Sequence, residues 1–330
     1  MNTNKDQRVY DSPSRFWRFY GSHGDFLETF INRLQWYEYS KNYFVSNFPL
    51  HVDIETTSNC NMNCPMCFRK KFRDLGDMNW NVFTKIVDEC KENGVYSLRL
   101  SWRGESLTHP RIFDMVEYAC KRISNVSFLT NTFLVTKEVA DFLIEKGLTY
   151  LGCSFDGMGE VYNRIRFPAK FEESLNKLKY LKEKRDSLGL VNPQIRVCSI
   201  WPAVSMDPLG YYECLSKVSD LVVMNEYMDL NNRRPVPGFV CQYPWERLMV
   251  AHNGRVQCCT GWDAEDITLG NVNDISLRAL WHGDKLNELR ELHKSGRRMD
   301  CKGCSICRHG LVLPDQSISI YDIISQETQK

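Results

Sequence analysis

The sequence predicts an α/β protein whose main body is an open, curved parallel sheet, a partial (β/α)6 barrel, followed by a small C-terminal cysteine-rich domain. Three observations predict it. Short apolar runs alternate with amphipathic stretches from residue 50 to residue 227, nine of the 14 cysteines fall into two groups at either end of that region, and the alternation stops after residue 235. Alternating strand and helix signals are the pattern of βα units around a parallel sheet. About six units are too few for a closed eight-stranded barrel.

Composition sets the limits. A chain of 330 residues is long for one compact core, so a main domain with a smaller companion is expected. Apolar residues at 43% and charged residues at 25% are ordinary globular values. Forty-two Lys and Arg against 41 Asp and Glu argue against a nucleic-acid-binding face or a strongly anionic partner. No run of about 18 apolar residues is available to span a bilayer. The N-terminus, "MNTNKDQRVYDSPSRFWRFYGSHGDF", lacks the apolar core of a signal peptide. The expectation is a cytoplasmic protein with no membrane and no nucleic-acid partner.

The elements follow in order. Residues 1–48 form an N-terminal helical extension rich in aromatics (Phe16, Trp17, Phe19, Tyr20, Phe26, Phe30, Trp36, Tyr37, Tyr39). They are expected to pack one or two helices onto the outside of the sheet, the alternative being a cap over its open end. The core spans residues 49–235. "LHVDIETT" (50–57) reads as its first strand, and "NWNVFTKIVDECKENG" as a helix with Val82, Phe83, Ile86, Val87 and Cys90 on one face and Gly94 at its end. "VYSLRLSW" is a second strand, "RIFDMVEYACKR" a helix and "VSFLT" a third strand. "TKEVADFLIEKG" is a helix with Thr136 as N-cap and Gly147 as stop. "LTYLGCSF", "ESLNKLKYLKEKR", "QIRVCSI", "PLGYYECLSKVS" and "DLVVMNEY" continue the alternation. "RRPVPGF" reads as a linker into the second domain, residues 236–312, with a tail at 313–330.

Chemistry is expected in the loops after the strands, the working end of such a sheet. The first strand runs into "NCNMNCPMCFRK", which holds Cys60, Cys64 and Cys67. In a reducing compartment clustered thiols point to metal or catalysis rather than to disulfides. Three soft sulfur ligands can hold one corner of an iron-sulfur cube and leave the fourth iron open to a substrate. A zinc knuckle is the alternative, but zinc wants four ligands and the loop offers no fourth.

Cys60-Asn-Met-Asn-Cys64-Pro-Met-Cys67 resembles the cluster loop of the radical S-adenosylmethionine (SAM) superfamily. The resemblance implies a 4Fe-4S cluster that binds SAM through its open iron, an external one-electron donor such as flavodoxin or ferredoxin, and a 5′-deoxyadenosyl radical that takes a hydrogen atom from substrate. Arg103-Gly104-Glu105-Ser106 is similar to the family's Gly-Gly-Glu-Pro stretch, which implies Gly104 and Glu105 as SAM contacts, with Arg103 and Ser106 departing from the pattern. Thr130-Asn131-Thr132 resembles a Thr-Asn-Gly turn and implies Asn131. Ser154-Phe155-Asp156-Gly157, with Tyr162 and Arg166, is similar to a run of the subfamily with a SPASM or twitch extension, and implies Ser154 and Arg166 as cofactor contacts. An ordinary turn is the alternative for Asp156-Gly157.

Cys241, twelve residues, Gly254, four residues and Cys259, then Cys301-Lys-Gly-Cys304-Ser-Ile-Cys307, resemble the single-cluster SPASM/twitch pattern and imply one auxiliary 4Fe-4S cluster. A hairpin at Asn253-Gly254 would bring Cys241 and Cys259 together. Cys241, Cys259, Cys301 and Cys304 are the expected ligands, with Cys258 and Cys307 as alternatives; a zinc site near His309 is the competing reading. A saturated cluster can accept an electron, which favours net oxidation.

The favoured substrate is a small molecule of the sugar or aminocyclitol type. The 50 or so residues before the first strand are fewer than a leader-peptide-binding domain needs, and the cysteine count suits one auxiliary cluster where many peptide-modifying relatives carry two. Peptide maturation is the runner-up. A sugar epimerase would need a hydrogen-donating thiol, for which Cys153 is the first candidate and Cys198, Cys258 and Cys307 are others. A noncatalytic iron-sulfur or zinc protein is the reading from a different class.

Overall fold

A computed structural model of the chain describes residues 7–9, 13–22, 25–67, 69, 74–225, 236, 238–260, 267–305 and 307. The expected tail at 313–330, most of the expected linker, and His309 lie outside the described residues.

Strand β1 (Gln7–Val9) and helices α1 (Pro13–Gly21) and α2 (Phe26–Lys41) come first. The βα units run β2 (His51–Ile54), α3 (Trp80–Glu92), β3 (Ser97–Arg99), α4 (Ile112–Cys120), β4 (Asn125–Thr130), α5 (Lys137–Glu145), β5 (Tyr150–Ser154), α6 (Gly159–Ile165), α7 (Phe171–Ser187), β6 (Gln194–Ile200), α8 (Pro208–Leu215) and β7 (Leu221–Asn225). All six strands expected from the sequence form, and α6 is an added short helix. Thr136 caps α5 by accepting the Val139 N–H, and Gly94 and Gly147 take the left-handed φ of +68° and +71° that ends a helix.

The strands of the units pair in parallel, each with its successor in the chain. The sheet does not stop with them. β8 (Arg247–Val250) pairs in parallel with β2, followed by β9 (Arg255–Gln257) and β10 (Thr268–Asn271) in antiparallel pairing. The result is one ten-stranded sheet, β1-β7-β6-β5-β4-β3-β2-β8-β9-β10, open at β1 and β10 rather than closed into a barrel. The cysteine-rich region expected as a separate domain from residue 236 is thus continuous with the core sheet. Helices α9 (Leu277–Trp281), α10 (Asp284–Lys294) and α11 (Lys302–Ser305) complete it.

Side chains alternate across a strand, and the sheet uses its two faces differently. Val52, Ile54, Leu98, Phe128, Leu151, Cys153, Val197 and Val222 share one apolar core with Phe83 and Ile86 of α3, Met115 of α4, Leu143 of α5 and Leu178 of α7. The opposite, inner face carries polar residues. Asp53, fully buried, meets His51, Arg99 and Arg247 there. The N-terminal extension packs onto this inner face, not on the outside as the aromatic content suggested. Phe19 of α1 is buried against Leu221 and Val223, with Tyr150 and Cys198 beside it, and Trp36 of α2 lies over His51 and Arg247. Sheet burial takes only part of α2. Thr29, Asn32, Trp36 and Ser40 are buried while Phe26, Leu27, Phe30, Ile31, Leu34 and Tyr37 are exposed.

Candidate active site and auxiliary metal centre

The loop after β2 is pinned before its first cysteine. Thr57 Oγ1 and Asn59 Nδ2 both donate to Asp77 Oδ1, at 2.6 and 3.0 Å, and the Gly76 N–H donates to Ser58 Oγ at 2.8 Å. Cys60, Cys64 and Cys67 follow, with a turn that sets the Cys67 N–H on the Cys64 carbonyl. Burial pushes the Cys60 and Cys64 thiols up, and the neighbouring cysteines add to the effect. Two donors face the sulfurs. Arg166 Nη1 is 3.7 Å from Cys64 Sγ and Asn131 Nδ2 is 3.9 Å from Cys60 Sγ. Cysteines whose ionised form burial and one another disfavour, met by N–H groups in a half-buried loop, suit a positively charged iron-sulfur core that would stabilise the thiolates. Among the described residues no three His, Cys, Asp or Glu side chains are arranged around a single ion, so the fit rests on this donor chemistry.

Gly104 carries the next strand end against the same loop. A Cβ on it would come within 2.3 Å of the Thr57 carbonyl oxygen and 2.5 Å of that of Asn59; only glycine permits the approach. The Glu105 N–H then donates to Asn59 O. Glu105 is buried, and its carboxylate accepts from the Asn131 N–H at 2.6 Å and the Thr130 hydroxyl at 2.8 Å. Burial outweighs these donors and raises its pKa to about 7. Asn131 Nδ2 also donates to Asn61 Oδ1 at 2.7 Å. Thr132, where the family pattern has glycine, takes φ +68°, a region that favours glycine. The turn geometry survives the substitution.

The Arg103 and Ser106 departures have partners. Arg103 forks onto Glu55, and Ser106 Oγ donates to the Leu100 carbonyl at 2.5 Å.

Ser154 ends β5 half-buried, in register with Cys198. Asp156 is more than a turn residue. It accepts the Ile200 N–H at 3.0 Å and pairs with Arg166, tying the ends of β5, β6 and α6. Burial would lower the Arg166 pKa, but Asp156 and then Cys64 hold it above the usual value. Cys153, the first candidate for a hydrogen donor, is corrected by strand parity. Its side chain points with Leu151 and Phe155 into the helix-facing core, is fully buried, and burial pushes its thiol far up. Cys198 is on the inner face, held by Asn225 Nδ2 at 3.0 Å.

The C-terminal cysteines converge as well. The hairpin forms at Asn253-Gly254, with Val250 opposite Val256 and Gly254 at φ +85°. Burial raises the Cys241 thiol, and Cys307 and Cys259 raise it further. A hydrogen bond from the Cys301 side, burial, and the Cys259 and Cys241 charges raise Cys304. Cys258 is almost fully buried in the apolar core, Cys259 only half-buried at its edge. Cys307 approaches Cys241, so it stays beside Cys301 as a ligand choice. Sequence reasoning missed His293 of α10, whose ring bridges the Cys241 backbone and Cys304. Its only signal was a buried position on an amphipathic helix.

The family models for the radical SAM superfamily and for an iron-sulfur cluster-binding domain match residues 54–192 and 241–308. The chain belongs to the radical SAM superfamily. Its C-terminal part is a SPASM domain, and the cofactors of such a pair are a SAM-binding 4Fe-4S cluster, SAM, and auxiliary iron-sulfur chemistry. A cofactor-modifying protein for tungsten-containing aldehyde ferredoxin oxidoreductase from Pyrococcus furiosus is 31% identical over 150 residues, 44% of this chain and 42% of that protein. The chain spans less than half the length of the curated relatives it matches. Among solved structures, BtrN in complex with AdoMet and 2-DOIA has TM-score 0.55 at 16% identity, covering 80% of this chain and 94% of that one. Streptococcus suis SuiB bound to the precursor peptide SuiA has TM-score 0.56 at 15% identity, covering 93% and 80%. At such identities the likeness is one of fold. No helix among the described residues is long and apolar enough to cross a membrane.

Proposed function

We propose that this radical SAM protein cleaves SAM reductively and removes a hydrogen atom from a small polar substrate of the sugar or aminocyclitol type, oxidising a hydroxyl-bearing carbon. The observation that carries the reading is the polar inner face beside the three-cysteine loop. Ser154, Cys198 and Asn225, at or near the carboxyl ends of β5, β6 and β7, stand half-buried on it, and Cys198 lies within electrostatic reach of Asp156 and Arg166. Such a field suits a substrate with hydroxyl or anionic groups.

When bound, the two clusters would supply one-electron chemistry, reducing power toward SAM at the Cys60, Cys64 and Cys67 site and an acceptor for a substrate electron at the C-terminal site. The substrate carbon loses one hydrogen atom, one electron and the hydroxyl proton, and ends as a carbonyl. An external donor such as flavodoxin or ferredoxin supplies the first electron. The chain's own part is positioning. Cys60, Cys64 and Cys67 would hold the first cluster, with Arg166 and Asn131 offering N–H groups to its sulfurs. Glu105, its carboxylate fixed by Thr130 and Asn131, would receive the SAM ammonium, and Gly104 keeps the strand end close enough for this. Ser154 would contribute a hydroxyl beside the cofactor. Cys241, Cys259, Cys301 and Cys304 would hold the auxiliary cluster.

The SuiB likeness, with its bound peptide, favours peptide maturation as the second reading. After anaerobic reconstitution and dithionite reduction, incubation with SAM is expected to give 5′-deoxyadenosine well above a Cys64→Ala control. Absence of that excess removes the reading. Deuterium transfer from a labelled sugar into 5′-deoxyadenosine supports the small substrate; transfer from a labelled peptide alone promotes the second reading.

A further inference from the structure

The imidazole of His293 sits between two of the auxiliary cysteines and is nearly out of solvent. Its Nδ1 accepts the Cys241 backbone N–H at 3.2 Å. A ring nitrogen that accepts carries no proton, so the proton of the neutral ring is on Nε2. That Nε2 is 3.4 Å from Cys304 Sγ, an N–H to sulfur distance. The Cys304 backbone is anchored independently, its carbonyl accepting from Arg298 Nη1 at 2.8 Å.

We propose that His293 is the hydrogen-bond donor that sets the reduction potential of the auxiliary cluster, by placing Nε2–H on the Cys304 thiolate. The inference rests on reading this centre as an iron-sulfur cluster. Reduction adds negative charge to the cluster and its sulfurs, and an N–H donor favours the more negative state. His293 thereby makes the cluster a better electron acceptor, the property that net oxidation of a substrate asks of it. It is a positioning residue: it touches a ligand, not the substrate.

The test uses the full chain, reconstituted anaerobically, with Cys60, Cys64 and Cys67 replaced by Ala so that only the auxiliary cluster is read. In EPR-monitored redox titration, His293→Phe is expected to lower the reduced-to-oxidised ratio at fixed potential about tenfold, a shift of about 59 mV for one electron. His293→Gln, which keeps an N–H donor, is expected to recover most of it. Pulsed EPR of the reduced wild-type centre is expected to detect a deuterium-exchangeable proton coupled to the cluster. An unshifted potential in a fully loaded His293→Phe chain overturns the proposal. So does absence of the exchangeable proton in the wild-type centre, whether or not the variant folds, and so does loss of the cluster in both variants, which makes His293 structural. A parent chain without any iron-sulfur signal is a different failure, that of the cluster reading itself.

Discussion

Arg103 and Glu55 meet through two parallel hydrogen bonds of 2.6 Å, Nε to Oε1 and Nη2 to Oε2, with neither side chain more than 1% exposed. His252, in the hairpin that follows β8, adds its N–H and its Nδ1 to Glu55 Oε2, both at 3.1 Å. Burial alone would raise the Glu55 pKa, and the Arg103 and His252 bonds lower it instead. One carboxylate thus fastens the ends of two core strands to the β8–β9 hairpin of the SPASM region.

Removing one partner of a buried pair leaves an uncompensated charge, which costs about 3–5 kcal/mol. Arg103→Met is expected to lose stability in that range in urea denaturation. The double variant Arg103→Met, Glu55→Gln is expected to lose distinctly less. Equal losses for the single and the double would show that packing, not the unpaired carboxylate, carries the effect.

Gly104→Ala tests the approach between strand end and cluster loop. The obstructing atoms are backbone carbonyls of Thr57 and Asn59, which cannot rotate away as a side chain would. Overpacking of this kind costs about 1–3 kcal/mol. The expected outcome is a folded chain that keeps its auxiliary iron but loads less iron at Cys60, Cys64 and Cys67 and makes less 5′-deoxyadenosine. Full loading and full SAM cleavage would count against Gly104 as the residue that sets this distance.

Much of this was legible because the signals are local. The six strands of the βα units, the Thr136 cap, the Gly94 and Gly147 stops and the Asn253-Gly254 hairpin each depend on a few neighbouring residues. What was hidden is set by distance along the chain. The run "RLMV" looks like any short strand; that it pairs in parallel with β2 is decided by the Arg247 to His51 register. Aromatic content foretold burial of α1 and not the face that receives it. Two signals were present and unused. His51 and Asp53 of β2 and Glu55 just after it alternate, marking one polar face, and Cys153 shares parity with Leu151 and with Phe155 just past β5 while Cys198 shares it with Arg196. Parity alone separates the core thiol from the one on the inner face.

Glu246 supplies a pH prediction. It is buried beside Arg247 at 3.9 Å, its Oε1 has no hydrogen-bond partner among the described residues, and burial raises its pKa from 4.5 to about 7. The folded chain therefore binds this proton more tightly than the unfolded one. Its effect is absent below pH 4.5, grows as pH rises, and is complete above about pH 7, where it lowers stability by about 3 kcal/mol. Glu105 adds a slope of the same sign. In cluster-free protein, Glu246→Gln is expected to match the wild type near pH 4.5 and exceed it at pH 8. A constant difference at all pH values would mean that Glu246 stays ionised in the fold.

The adjacent thiols Cys258 and Cys259 differ in burial, and iron counting separates them. Cys258 is 2% exposed within the apolar core, where a free thiol behaves as a small hydrophobe. Cys259 lies half-buried at the edge of that core; both thiols are within electrostatic reach of Cys241 and Cys304, so burial is what separates them. In a chain that lacks Cys60, Cys64 and Cys67, Cys258→Ala is expected to retain the iron of the auxiliary cluster, about four per chain for a cubane, with a modest loss of stability from the small cavity. Cys259→Ala is expected to lose most of that iron. Comparing Cys301→Ala with Cys307→Ala in the same background decides the remaining ligand, since Cys307 acts on Cys241 as Cys301 acts on Cys304. Retention of iron in Cys259→Ala and its loss in Cys258→Ala would reverse the assignment and draw the cluster inward, into the core beside Val256.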